Sequence, residues 1–145
     1  MEKPVDLGPL LGRAAHLVRE RLEPRLTHIG LTPVQTHVLL YLQRSGGGAW
    51  QREVVGHLRV KPSTANGILD RMEEKDLVVR SVSQQDARQR YITLTEKGRC
   101  LYDQACRAFQ EMEDLLVRGM DEEEQILFRT LLQGVIGRLE EDRTV

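Results

Sequence analysis

The chain has 145 residues, enough for one domain with a core of its own and no need of disulfide or metal staples. Hydrophobic residues at 40% and charged residues at 30% exclude a disordered chain, and aromatics at 4% argue against an aromatic-rich β-sandwich and for a mainly helical, Leu/Val-rich fold. Apolar runs stop at three or four residues, as in Val38-Leu39-Leu40-Tyr41, so no membrane span is expected, and the opening Met-Glu-Lys-Pro-Val-Asp has no apolar signal region, which points to the cytoplasm.

The net charge of −1 conceals an asymmetry. Residues 52–99 carry ten Lys/Arg against seven Asp/Glu, a net of +3, and the rest of the chain carries a net of −4. The middle of the chain is the part suited to a polyanionic partner, although so small a difference is by itself a weak pointer. Cys100 and Cys106 form neither a CxxC nor, with the histidines, a zinc-finger spacing. Six positions turn a helix by about 600°, so the two thiols face different sides of one and cannot bridge within it.

In chain order, residues 5–29 predict a helix in which Leu7, Leu10, Leu11, Ala14, Leu17, Val18 and Leu22 share a face. Pro24 is expected to kink that helix or end its regular part. Thr32 as cap and Pro33 as first residue open the next helix, which buries Val34, Val38, Leu39 and Leu42 and ends at the turn Gly46-Gly47-Gly48. A short helix follows over Gln51–Leu58, with Val54, Val55 and Leu58 inward. After the tight connection Arg59-Val60-Lys61, a further helix runs from Pro62 to about Lys75 with Ala65, Ile68 or Leu69, and Met72 inward. The period then changes to two: Leu77–Val82 and Arg90–Leu94 predict the strands of a hairpin whose long tip is Ser83–Gln89. Thr95 starts a long helix to about Arg118, and Asp121 caps a last one, with Ile126, Leu127, Leu131, Leu132, Val135, Ile136 and Leu139 as its stripe.

Residues 31–94 therefore read as one compact unit. The helical segments 1–30 and 95–145 are too apolar to stand alone around it, and packing against a second copy of the chain would bury their stripes. Gln51 to Lys75 has helix-turn-helix proportions, in which the second helix enters the DNA major groove with its first residues. Ser63, Thr64 and Asn66 are short hydrogen-bonding side chains at that place, and Asn reads adenine bidentately. The hairpin suits a wing: Arg88 and Arg90 would lie on the backbone or in the minor groove, and Asp86 would hold the tip or orient an arginine. Gln51 and Arg71 complete the candidate DNA contacts.

These segments resemble the MarR family of winged helix-turn-helix transcriptional regulators. The likeness is carried by Leu31-Thr32-Pro33-Val34-Gln35, by Pro62-Ser63-Thr64-Ala65 with Leu69-Asp70-Arg71-Met72-Glu73, by Leu77-Val78-Val79-Arg80, and above all by Asp86-Ala87-Arg88-Gln89-Arg90-Tyr91-Ile92-Thr93-Leu94-Thr95-Glu96-Lys97-Gly98. The resemblance implies a mainly α fold with an α+β wing, a single domain over 1–145, and dimerisation through the end helices. It also implies a homodimer on a pseudo-palindromic operator, usually as repressor, with Arg88 in the minor groove and Ser63, Thr64 and Asn66 in the major groove. Two positions depart from the family's pattern: Gly67 stands where a long side chain is common, and Asp76 where Gly is usual.

Family members commonly sense small phenolic molecules between the winged unit and the dimerisation helices. His16, His37, Tyr41, Tyr102 and Phe109 are candidates for such an effector crevice by position. Of the family's zinc-sensor pattern only His28 and His37 are echoes, and the segment Glu96–Arg118 holds no histidine, so neither metal nor cofactor is expected. The sequence has no phosphate-binding Gly loop, GxSxG, HExxH or dinucleotide fingerprint, and Glu53 and His57 could pair but lack a third group, so no enzyme is expected. The alternative is a winged helix reused as a protein-interaction module without sequence-specific DNA binding.

Overall fold

The computed structural model describes residues 2–143. Helix α1 spans Leu7–His28 and continues through Pro24 for a further turn, so the proline does not end it. Its C-terminus is closed by a Schellman turn. Gly30, at φ 84°, donates its N–H to the Thr27 carbonyl, Leu31 donates to the Leu26 carbonyl, and Leu26 and Leu31 are both buried. Helix α2 (Pro33–Arg44) begins with a full capping box: Thr32 accepts from the Gln35 N–H, and the Gln35 side chain accepts from the Thr32 N–H. Val38, Leu39 and Leu42 are fully buried and Val34 half-buried, as the spacing predicts.

Strand β1 (Gly48–Trp50) is an addition to the sequence reading, which has a turn through Gly48. It makes the predicted two-stranded hairpin, β2 (Val78–Val82) and β3 (Arg90–Leu94), a three-stranded antiparallel sheet in the order β1-β3-β2, with Ala49 opposite Ile92. Three residues are too few to display a period of two, and β3 supplies the pairing that makes them a strand. Helix α3 (Gln51–Leu58) and helix α4 (Pro62–Glu74) have the expected bounds to within a residue, joined across Arg59 in the left-handed conformation. Both Ile68 and Leu69 are buried on α4, with Ala65 and Met72.

Helix α4 ends in the same Schellman turn as α1, with Asp76 at φ 61° in the place of glycine. Its N–H bonds to the Glu73 carbonyl, and Leu77 bonds to Met72. Lys75 ties the two turns together, its Nζ donating to the Gly30 carbonyl and to Gln35 Oε1, both at 3.0 Å. Helix α5 (Glu96–Leu116) starts against this corner. The Thr95 hydroxyl donates to the Asp76 carbonyl and accepts from the Gly98 N–H. A Cβ on Gly98 would stand 2.3 Å from the Leu77 carbonyl oxygen, which is why the helix start requires glycine there. Helix α6 (Glu122–Glu141) opens with a capping box between Asp121 and Glu124.

The described residues gather into two compact units that divide between Gln110 and Glu111, within α5. In the first, the core joins Leu26, Leu31, Val38, Leu39, Leu42, Val54, Leu69, Met72, Leu77, Ile92 and Ala105. Outside that core α1 keeps Leu7, Leu10, Leu11 and Leu17 exposed, Leu7 at 75%. In the second, α6 has no buried residue, and Ile126, Leu127, Phe128, Leu131, Ile136 and Leu139 are exposed. Cys100 and Cys106 are free thiols. Among the described residues no helix is long and apolar enough to cross a membrane.

Candidate nucleic-acid interface

The start of α3, the start of α4 and the wing enclose a hollow of about 400 Å³, which Gln51, Asn66, Arg88 and Arg90 line together. Residues 37 positions apart thus meet because the helix-turn-helix brings α4 back across α3 while β3 returns beside β1. Trp50, Arg52 and Pro62 also line it. None of these three was read from the sequence as part of the site. Trp50 ends β1, and its ring packs edge-on against Tyr91 at 5.2 Å, which joins the start of α3 to the sheet. The Gln51 amide donates through Nε2 to Asn66 Oδ1, and Gln51 Oε1 is buried without a hydrogen-bond partner.

Ser63 and Thr64 lie exposed in the first turn of α4, and Arg71 is exposed further along the same helix. An added Cβ at Gly67 would meet only the Arg71 guanidinium, at 3.7 Å, so packing does not demand glycine at this departure from the family's pattern. The wing tip is ordered by its own hydrogen bonds. Ser83 Oγ accepts from the N–H groups of Gln85 and Asp86, and Asp86 Oδ1 accepts from the Arg88 N–H at 3.0 Å and from Arg88 Nε at 3.3 Å. Asp86 therefore both closes the turn and orients the arginine, whose side chain is 92% exposed. At that exposure the ion pair adds little stability, and its effect is geometric.

A second arginine that sequence reasoning treated only as part of a strand joins the wing to α4. Arg80, on β2, pairs with Asp70 and Glu73, and its own N–H donates to Glu73 Oε2 at 3.1 Å. Burial alone would lower its pKa, but the hydrogen bonds to Asp70 and Glu73 outweigh burial and raise it. The wing is thereby held to the helix whose N-terminus borders the hollow. Opposite charges on α4 and a following strand were visible in the sequence, but their pairing was not.

The five candidate crevice residues stand in different surroundings. His16 is exposed on α1 beside Glu20, at 3.7 Å, and His37 is exposed on α2. Tyr41, Tyr102 and Phe109 are half-buried against the core. Tyr41 stacks on His57 with ring centroids 4.5 Å apart, so His57 has an aromatic partner in place of the pairing with Glu53 considered above. A hydrogen bond with Cys106, aided by burial, raises the pKa of Tyr102. A hollow of about 240 Å³ beside α1 and α5 is lined instead by Pro24, His28, Ile29, Gln104 and Ala108 with Arg25. Among the described residues no group of three His, Cys, Asp or Glu could hold a metal ion.

A helix-turn-helix whose second helix shares a cationic hollow with a three-stranded wing defines a winged helix-turn-helix protein. The model of the MarR family matches residues 29–89. The HTH-type transcriptional regulator FarR of Neisseria gonorrhoeae is 28% identical over 128 residues, 88% of this chain and 86% of that protein. The HTH-type transcriptional repressor NicR of Pseudomonas putida is 26% identical over 136 residues, 90% and 82% of the two chains. The crystal structure of the S. aureus MepR–DNA complex superposes with a TM-score of 0.81 at 28% identity, covering 94% of this chain and 99% of that one. The chain is thus similar to proteins of the MarR family, whose model covers the segment from the end of α1 to the wing tip.

Proposed function

We propose that this protein is a sequence-specific DNA-binding transcriptional regulator, a repressor that acts as a homodimer on a pseudo-palindromic operator and is released by a small-molecule effector. The observation that carries the reading is the meeting of Gln51, Asn66, Arg88 and Arg90 around one hollow between α4 and the wing. Likeness to MepR, whose complex with DNA is known, adds support. In this reading residues 31–94 bind DNA, and 1–30 with 95–145 form the dimer. Ser63, Thr64 and Asn66 face base edges in the major groove, with Gln51 and Arg71 beside them, and Arg88 enters the minor groove with Arg90 on the flanking backbone. Two recognition helices then enter successive major grooves about 34 Å apart. Exposed stripes on α1 and α6 support the dimer. An effector works by favouring a dimer in which that spacing is wrong, which takes about 1–3 kcal/mol of coupling.

The test is selection of a random duplex pool by the purified protein, followed by titration of the winning duplex at two salt concentrations. An enriched inverted repeat is expected, with affinity falling steeply with salt because each neutralised phosphate releases counterion. Arg88→Ala is expected to weaken that duplex by about tenfold or more, in line with the loss of one groove contact per half-site, and to leave the circular dichroism spectrum unchanged. No enrichment at low salt would overturn the reading in favour of a protein-interaction module.

A further inference from the structure

We infer that Gln51 sets the base preference of Asn66, as a positioning residue for major-groove reading. The inference rests on the DNA-binding reading above and deepens it. Gln51 opens α3, is half-buried, and belongs to the wall of the hollow; Asn66 lies one turn into α4 and is exposed. Their side chains are 15 positions apart in sequence and are joined by the bond from Gln51 Nε2 to Asn66 Oδ1. A group anchored in the wall thus holds the group that faces out.

A primary amide has an acceptor end and a donor end. With Oδ1 engaged by Gln51, Asn66 turns its NH₂ toward the groove. In the major groove that donor finds acceptors on N7 of either purine, on O6 of guanine and on O4 of thymine, whereas cytosine offers only its N4 amino group. A clasped Asn66 therefore rejects cytosine and accepts the other bases. A free asparagine behaves differently: it aligns both ends with N6 and N7 of adenine and selects that base.

Gln51 Oε1, buried without a partner, gives the clasp a second sense. If both amides turn over, Oε1 accepts from Asn66 Nδ2 and Asn66 Oδ1 faces out. A carboxylate at position 51 enforces that sense, because it can only accept. Gln51→Glu then presents an acceptor to the groove, which pairs with the amino groups of adenine and cytosine. The added negative charge weakens binding to all duplexes alike, so base preference and not affinity is the quantity to read.

The experiment selects duplexes from a random pool with the full-length protein and with Asn66→Ala, Gln51→Ala and Gln51→Glu, and compares the base frequencies at each operator position. Asn66→Ala is expected to flatten one position per half-site by about fivefold or more, the low end of one base contact. At that same position the wild type excludes cytosine, Gln51→Ala selects adenine, and Gln51→Glu selects adenine or cytosine, while the other positions keep their preferences. An unchanged profile in both Gln51 variants overturns the clasp and leaves the regulator reading standing, as does an Asn66→Ala profile with no flattened position. Should Gln51→Ala not fold, Gln51→Glu alone decides, through gain of cytosine or its absence. Failure of the wild type to enrich any duplex overturns the DNA-binding reading itself.

Discussion

Helices α4 and α6 are both amphipathic, and their stripes meet different fates within one chain. Helix α4 buries Ala65, Ile68, Leu69 and Met72, whereas α6 is longer, at 20 residues against 13, and buries none. The reason is what lies opposite. Helix α4 faces the core of its own unit, where Leu39, Leu42, Leu77 and Ile92 are fully buried. On α6, Leu131 and Leu139 are 60% and 65% exposed. Exposed leucines at helical spacing describe an interface waiting for a second surface. The stripe of the first helix is thus covered by its own chain, and that of the second is left uncovered among the described residues.

Substitutions on each helix should separate these two kinds of dependence. Leu69→Ala removes a fully buried side chain and is expected to cost about 2–5 kcal/mol in urea denaturation. Leu131→Glu is expected to leave a single chain's secondary structure intact by circular dichroism. Placing an unpaired charge in the dimer interface should weaken association by about 3 kcal/mol, roughly a hundredfold. Sedimentation should then show monomer at concentrations where the parent is dimeric. A dimer unaffected by Leu131→Glu would remove α6 from the interface and dissolve the contrast.

The smallest effect concerns the two Schellman turns, which share one geometry and differ in one residue. Gly30 is at φ 84° and Asp76 at φ 61°. Left-handed backbone costs an L residue, aspartate less than most, so Asp76→Gly is expected to stabilise by about 0.5 kcal/mol. Nothing lies within 4 Å of a Cβ added at Gly30, so Gly30→Ala tests the conformational cost alone and is expected to destabilise by about 1 kcal/mol. Melting temperatures of both variants check the pair. Equal shifts of one sign would show that the turns are not equivalent.

How much was legible differs between these regions for a physical reason. The Thr32 cap, the limits of α3, the inward face of α4 and the whole of β3 followed from local signals, because caps and periodicity act within a few residues. The fold class, and the wing tip held by Asp86, followed from ordered motifs. Strand β1 did not, since its three residues become a strand only by pairing with β3. Helix α1 was read over 5–29 with Pro24 as a kink or an end to its regular part, and the helix runs on through it to His28. The site was partly legible: Gln51, Asn66, Arg88 and Arg90 were named and do meet. The crevice residues were chosen by position alone, and position along a helix does not say which hollow a side chain reaches.

The sequence by itself determined where each helix starts, which face of it is apolar and where the chain must turn, because these depend on neighbours a few bonds away. Only the tertiary structure decided which polar groups pair. Gln51 with Asn66, Arg80 with Asp70 and Glu73, and Lys75 with Gly30 and Gln35 are partners 7 to 45 residues apart. A hydrogen bond has a reach of about 3 Å, so such a pairing exists only once the core has brought distant segments together.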